Sequence, residues 1–249
     1  MDKVMLVTGG SRGIGAATCL MAAKYGYAVA VNYHSNQEAA DAIVKAIEKD
    51  GGKALAVQAD VANEQDVVRM FATVDDELGP ITALVNNAGI VDQPSKVADM
   101  SAERVARMMS VNVVGPFLCA REAIRRMGTS YGGPGGAIVN VSSAASHAAG
   151  GGGAGTYIDY GASKGAIDTL TEGLAKEVAS DQIRVNAVRP GVVDTEIHAS
   201  GGQPDKPEQA KSAIPLGRVG QPEDIAEAIM YLAEAKFTTG AFLDVDGGV

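Results

Sequence analysis

A tyrosine and a lysine stand four residues apart in Tyr160-Gly161-Ala162-Ser163-Lys164. On a helix that spacing puts both side chains on one face, one turn apart. A free phenol titrates near ~10 and is a poor proton shuttle at neutral pH. A nearby ammonium favours the phenolate and lowers that value, so the pair could exchange a proton with a carbonyl or alcohol oxygen. Tyr157 lacks such a partner, because Gly161 stands four residues after it. Upstream, Val139-Asn140-Val141-Ser142-Ser143 reads as a strand running into paired serines. A serine hydroxyl at a strand end can hydrogen-bond the reacting oxygen.

A second constellation follows the apolar run at residues 4–7. In Thr8-Gly9-Gly10-Ser11-Arg12-Gly13-Ile14-Gly15, the glycines at 9, 13 and 15 permit a tight turn and close approach of a pyrophosphate. Ser11, Arg12 and Ile14 complete a loop that enters a helix, whose first N–H groups attract an anion. The Gly-Lys-Ser/Thr ending of a P-loop is missing, which disfavours a nucleotide triphosphatase. The second apolar run ends Val31-Asn32-Tyr33-His34-Ser35. No carboxylate stands there to hold a ribose 2′-hydroxyl, as NAD-specific sites require. The reading is a site that prefers NADP(H), with NAD(H) possible: Arg12 would pair with the 2′-phosphate, and Asn32, His34 and Ser35 would add hydrogen bonds.

Short β-branched runs must carry these residues. Strands are expected at 4–7, 28–32, 54–58, 83–86, 137–141, 184–188 and 242–245. Helices are expected at 13–25, 37–49, 64–78, 102–109, 111–126, 160–179 and 222–233. The alternation predicts an α/β fold: a doubly wound, Rossmann-like, seven-stranded parallel sheet flanked by helices on both faces. One domain over residues 1–249 is expected, with a substrate loop at about 194–215. The stripe of Ala162, Ala166, Leu170 and Leu174 could face either a subunit neighbour or the sheet.

Composition narrows the classes. Asp plus Glu (30) exceed Lys plus Arg (21), a formal charge of −9 that opposes nucleic acid and anionic membranes. Cys19 and Cys119 sit in apolar helical segments, which suits reduced core thiols in a cytoplasmic protein. No signal-peptide pattern leads the chain, and no apolar stretch reaches the ~18 to 20 residues of a membrane span. No cluster has metal-ligand spacing, so no metal is expected. Of the 31 glycines, those at 132–136 read as a connector, whereas 150–155 border the ligand side.

In combination these motifs resemble the short-chain dehydrogenase/reductase family over nearly the whole chain. The resemblance is to its bacterial 3-oxoacyl-carrier-protein reductase and glucose 1-dehydrogenase-like subgroup. It runs through residues 8–15, Asp60-Val61, Asn86-Asn87-Ala88-Gly89, Asn112, Ser143, Tyr160 with Lys164, Arg189-Pro190-Gly191-Val192-Val193-Asp194-Thr195 and Asp244-Val245-Asp246-Gly247-Gly248. The resemblance implies Tyr160 as general acid–base and Lys164 as its modulator and ribose donor. It implies Ser143, rather than Ser142, as the serine that orients substrate, and Asn112 as the holder of a relay water. Asp60 and Val61 would meet the adenine; Asn86, Ala88 and Gly89 would line the cofactor; Pro190, Gly191, Val193 and Thr195 would hold the nicotinamide amide. A small carbonyl or alcohol substrate and a homotetramer are implied too.

One departure stands out: the segment at 144–159 is several residues longer than in most relatives, and the surplus is glycine. Ser142 and Ser146 therefore stay open beside Ser143. Asp60 could instead cap a helix, Asn112 could simply bond backbone, and His147 and His198 flank the expected pocket. Competing readings are an oxidative sugar dehydrogenase, a non-catalytic dinucleotide sensor and an S-adenosylmethionine methyltransferase. The last two have no need of the Ser–Tyr–Lys–Asn set.

Overall fold

The computed structural model describes residues 3–147 and 157–249. The apolar runs form β1 (Lys3–Val7), β2 (Tyr27–Tyr33), β3 (Ala54–Gln58), β4 (Ala83–Asn86), β5 (Gly136–Val141), β6 (Ile183–Pro190) and β7 (Phe242–Val245). All pair in parallel, in the order β3-β2-β1-β4-β5-β6-β7. The chain winds outward in one direction from β1 through β2 and β3, then in the other from β4. This reversal opens a crevice beyond the carboxyl ends of β1 and β4.

Strand alternation feeds two cores. Val4 and Leu6 of β1 face one, Met5 and Val7 the other, and all four are essentially inaccessible. The first core is closed by α3 (Glu64–Leu78), α5 (Gly115–Met127) and α6 (Ile158–Glu177). The second is closed by α1 (Gly13–Lys24), α2 (Gln37–Lys49) and α9 (Pro222–Glu234). Each fully buried Val, Leu or Ile contributes ~1.5 to 3 kcal/mol, so a sheet covered on both faces fixes the strand ends firmly. Leu170 and Leu174 belong to the first core while Ala162 is exposed, so the expected stripe is split between sheet and surface.

Two differences from the expected elements bear on the site. The helix expected at 111–126 begins as a π turn, Ser110–Val114, fused between α4 (Ala102–Met109) and α5. Residues 197–213 form α7 (Ile197–Ser200), α8 (Lys206–Ala210) and a 3₁₀ turn at Lys211–Ala213. The base of this excursion is closed by Asp194 N–H to Gly220 O (2.9 Å) and Gly220 N–H to Val192 O (3.0 Å). Among the described residues no helix is long and apolar enough to cross a membrane. The glycine cluster at 150–155 lies outside the described residues.

Candidate active site

The glycine turn is held from below. Gly9 and Gly13 adopt φ of 62° and 51°, left-handed values that side chains disfavour. Gly9 N–H donates to Asn32 Oδ1 (3.1 Å) and Gly10 N–H to Asn32 O (2.7 Å). Thr8 Oγ1 accepts the N–H groups of Asn87 and Ala88, both at 3.0 Å. The Asn87 amide returns to Thr8 O (2.9 Å) and Gly9 O (3.1 Å). The end of β4 thus clamps the end of β1. Arg12 stands at the N-cap of α1 without a side-chain cap bond, and the first turn carries no acidic residue. That leaves the helix start open to an anion. Arg12 itself is exposed and forms no ion pair among the described residues. The turn's geometry fits a dinucleotide pyrophosphate.

Two asparagines do not play the expected part. Asn32 is 2% exposed, and its Nδ2 donates to Val57 O (3.3 Å) and Ala59 O (3.2 Å). Its side chain is spent beneath the turn, so it is not placed to bond a 2′-phosphate. Asn86 is also buried, and its Nδ2 donates to Asn140 Oδ1 (2.9 Å), whose own Nδ2 donates to Thr171 Oγ1 (2.8 Å). This ladder joins β4, β5 and α6 inside the protein. Asn87, one residue on, is the side chain that reaches the turn. Residue type alone does not tell the two apart; strand alternation offers the signal, since neighbours point to opposite faces.

At the rim, His34 and Ser35 are exposed as expected, with His34 Nε2 3.9 Å from Asp60 Oδ2. Asp60 does not cap the helix. Its Oδ1 accepts Ala62 N–H (2.9 Å), while Asn63 caps α3 by accepting from Gln65 and Asp66 N–H. Val61 is buried against Gly115, where a Cβ would come within 2.9 Å of its Cγ2. Thr195 lies beside Gly13, its Cγ2 3.2 Å from where a Cβ would stand. Pro190 ends β6, and a Cβ at Gly191 would come within 2.8 Å of Asp246 Cα, an approach that excludes a side chain. Val193 is buried, and its carbonyl meets His198 Nε2 at 2.9 Å. A hollow of about 490 Å³ between α1, residues 194–196 and α9 shares Gly13 and Thr195, but none of the Tyr160 group lines it.

The reacting group gathers on α6. Lys164 is 5% exposed; its Nζ donates to Val141 O (2.8 Å) and lies 5.7 Å from the Tyr160 ring centre. Burial pushes the ammonium down to about 8, against the opposing pull of Asp168. The Tyr160 phenol moves upward: burial raises it, and a hydrogen bond from Ser143 counters in part. The expected lowering of the phenol is therefore not the net effect, because desolvation of the phenolate outweighs the hydrogen bond from Ser143. Ser143, not Ser142, is the serine at the phenol. Its Oγ also accepts Ala145 N–H (3.1 Å), while Ser142 is buried and donates to Asp168 Oδ1 (2.6 Å).

Asn112 sits in the π turn, 1% exposed. It accepts Ile90 N–H (2.8 Å), donates to Ile90 O (2.9 Å) and contacts Ser163 Oγ (3.1 Å), which donates to Tyr160 O (2.7 Å). Its side chain thus bonds backbone, and the π turn is where the regular helical ladder is displaced. A Cβ at Gly89 would stand 3.5 Å from both Asn112 Oδ1 and Lys164 Nζ, so Gly89 lies next to this group, while Ala88 borders Gly9. Arg104 anchors the helix start, its Nε and Nη2 donating to buried Asp159 at 2.8 and 3.3 Å. Thr8, Asn87, Ser163 and Arg104 were not singled out from the sequence as site residues.

Comparison with known proteins agrees with this geometry. Residues 9–249 match the family model described as Enoyl-(Acyl carrier protein) reductase. The chain is 53% identical over 247 residues to an Escherichia coli protein named uncharacterized oxidoreductase YgfF, covering 98% of this chain and 99% of the relative. It is 39% identical over 250 residues to a 3-oxoacyl-[acyl-carrier-protein] reductase of Synechocystis sp., covering 99% and 96%. A crystal structure of a short chain dehydrogenase from Burkholderia cenocepacia in complex with NADP superposes with a TM-score of 0.88 at 32% identity, covering 100% of this chain and 98% of that one. The chain belongs to the short-chain dehydrogenase/reductase family and is an oxidoreductase.

Proposed function

We propose that this short-chain dehydrogenase/reductase is an NADP(H)-preferring carbonyl reductase, with Tyr160 as general acid and Lys164, Ser143 and Asn112 as its partners. The observation that carries the reading is geometric: the Tyr160 ring lies 5.7 Å from the buried Lys164 Nζ on one face of α6, and Ser143 hydrogen-bonds the phenol. A phenol so placed can give its proton to the oxygen of a carbonyl as hydride reaches the carbon.

A bound nicotinamide would supply the hydride. Gly9, Ser11, Gly13, Ile14, Gly15 and the start of α1 would bind its pyrophosphate. Exposed Arg12, His34 and Ser35 would meet a 2′-phosphate, and no carboxylate in the Val31–Ser35 stretch would repel it. Asp60 and Val61 would border the adenine. Pro190, Gly191, Val193 and Thr195 would frame the nicotinamide end, the last next to Gly13. Ser143 would hydrogen-bond the carbonyl oxygen while Tyr160 protonates it. Lys164 would hold the ribose and favour the phenolate left behind. Asn112, bonded to Ile90 and through Ser163 to Tyr160, keeps the π turn and the start of α6 in register.

The acidic balance and buried cysteines support a cytoplasmic setting. Exposed Val105 of α4, Val114 of the π turn and Phe117 of α5 support a homotetramer. The test is NADPH and NADH oxidation with β-keto esters, diketones and aldehydes, run beside NADP⁺ and NAD⁺ reduction with aldoses. Carbonyl reduction faster with NADPH upholds the reading. Aldose oxidation alone would replace it with the sugar dehydrogenase. Cofactor binding without turnover would leave the sensor.

A further inference from the structure

Asp168 lies one turn beyond Lys164 and two beyond Tyr160 on α6, so the three share a helix face. Its carboxylate is fully engaged. Oδ1 accepts from Ser142 Oγ at 2.6 Å. Oδ2 accepts from Ser146 Oγ at 2.6 Å and from Arg189 Nε at 3.0 Å, with Arg189 Nη2 at 2.9 Å. Arg189 in turn lies over the Phe242 ring at 4.1 Å and 3.6 Å from Asp244 Oδ1. One carboxylate thus gathers the end of β5, the turn after Ser143 and strand β6 onto the helix that carries the reacting pair.

We propose that Asp168 is a positioning residue of this active site: through Ser142, Ser146 and Arg189 it fixes the serine-bearing strand end against α6, and it holds an anionic partner one turn from the Lys164 ammonium. The inference rests on the reductase reading above.

The charges sort simply. On its own helix Lys164 has Tyr160, Asp159 and Asp168; β6 supplies Arg189, with Asp244 behind it; the turn after Ser143 supplies His147; α4 supplies Arg104, paired to Asp159. Asp168 favours the ammonium against burial. Arg189 neutralises part of Asp168. Removing the Asp168 charge makes Lys164 lose its proton at lower pH, whereas removing the Arg189 charge makes it hold the proton to higher pH. A purely structural role would not give opposite signs.

The experiment uses the full chain with Asp168→Asn, Arg189→Met and Asp168→Glu. Two readouts are taken: the alkaline limb of kcat/KM for NADPH oxidation with a diketone, and a ¹³C NMR titration of the lysine ε-carbons, with Lys164 assigned by Lys164→Arg. Both should move down by about one pH unit in Asp168→Asn, up in Arg189→Met, and return toward the starting value in Asp168→Glu. The paired Ser142→Ala/Ser146→Ala variant removes the hydroxyl bonds and leaves the charge. It should raise KM several-fold without moving the limb, and it also serves if Asp168→Asn does not fold. Shifts of the same sign in Asp168→Asn and Arg189→Met, or no shift in either, overturn the proposal. Absence of turnover in the unaltered enzyme sinks the reductase reading instead, and the NMR titration still decides the role of Asp168.

Discussion

Glycine-to-alanine exchanges at two helical positions should have opposite effects. At Gly15, in the first turn of α1, an added Cβ would lie 2.2 Å from Gly9 O and 2.6 Å from Asn87 Nδ2. The first distance falls about 1.2 Å short of ordinary contact, so the glycine turn must retreat. It is not free to do so, since Asn32 holds Gly9 N–H and Asn87 holds Gly9 O. Overpacking of this kind costs ~1 to 3 kcal/mol. Stretching the two Asn87 bonds adds ~1 kcal/mol, and the gain in helix propensity offsets at most ~1 kcal/mol. The net is a loss of about 2 kcal/mol, or a Tm lower by about 4 to 8 °C for a chain of this size. The displaced turn should also weaken NADPH by about tenfold or more, since a hydrogen bond to a charged group is worth ~1.5 to 3 kcal/mol. At Gly173, exposed on α6, an added Cβ meets nothing within 4 Å. There Gly173→Ala should stabilise by ~0.5 to 1 kcal/mol and leave NADPH binding unchanged. Thermal melts and NADPH fluorescence titrations read both. A Gly15→Ala protein as stable as the original, with NADPH affinity intact, would refute the reasoning about the clamp.

Two further outcomes follow from charge. Arg12→Ala should weaken NADPH by about tenfold and NADH by less than about twofold in paired titrations, because an exposed guanidinium can distinguish the two only at the 2′-phosphate. Lys164→Met should abolish turnover yet stabilise the fold. The Lys164 ammonium sits at about 8 against an ordinary 10.5, so its burial costs ~3 kcal/mol at pH 7, of which losing the Val141 bond returns ~1. Below about 8 that cost is present in full. Between about 8 and 10.5 the unfolded chain binds more protons than the folded one, so the native protein gains stability with rising pH and the advantage of Lys164→Met shrinks. Urea melts at pH 7 and pH 10 read the difference.

Much of the frame was legible before any coordinates. Continuous apolar runs identify buried parallel strands, and all seven lie where the runs do. Tyr160 and Lys164 follow from helical spacing, and the glycine turn from its place between strand and helix. What failed to show were side-chain directions. Asn32 and Asn86 have the right chemistry at strand ends but point into the protein, and Asn87 is the one whose side chain reaches the glycine turn. The π turn at Asn112 has no sequence period of its own; it follows from tertiary bonds to Ile90. Asp168 was readable in principle, since it continues the Tyr160–Lys164 face by one turn, but its partners Ser142, Ser146 and Arg189 meet only in the fold.

The central claim is that Tyr160 supplies the proton. Tyr160→Phe keeps the ring and removes one oxygen, so it isolates the step. The account predicts NADPH affinity within about twofold of the original and turnover with a reducible carbonyl down by about a thousandfold, in line with the ~10²- to 10⁴-fold worth of general acid catalysis. Turnover within about tenfold of the original, with the cofactor bound equally well, would contradict it.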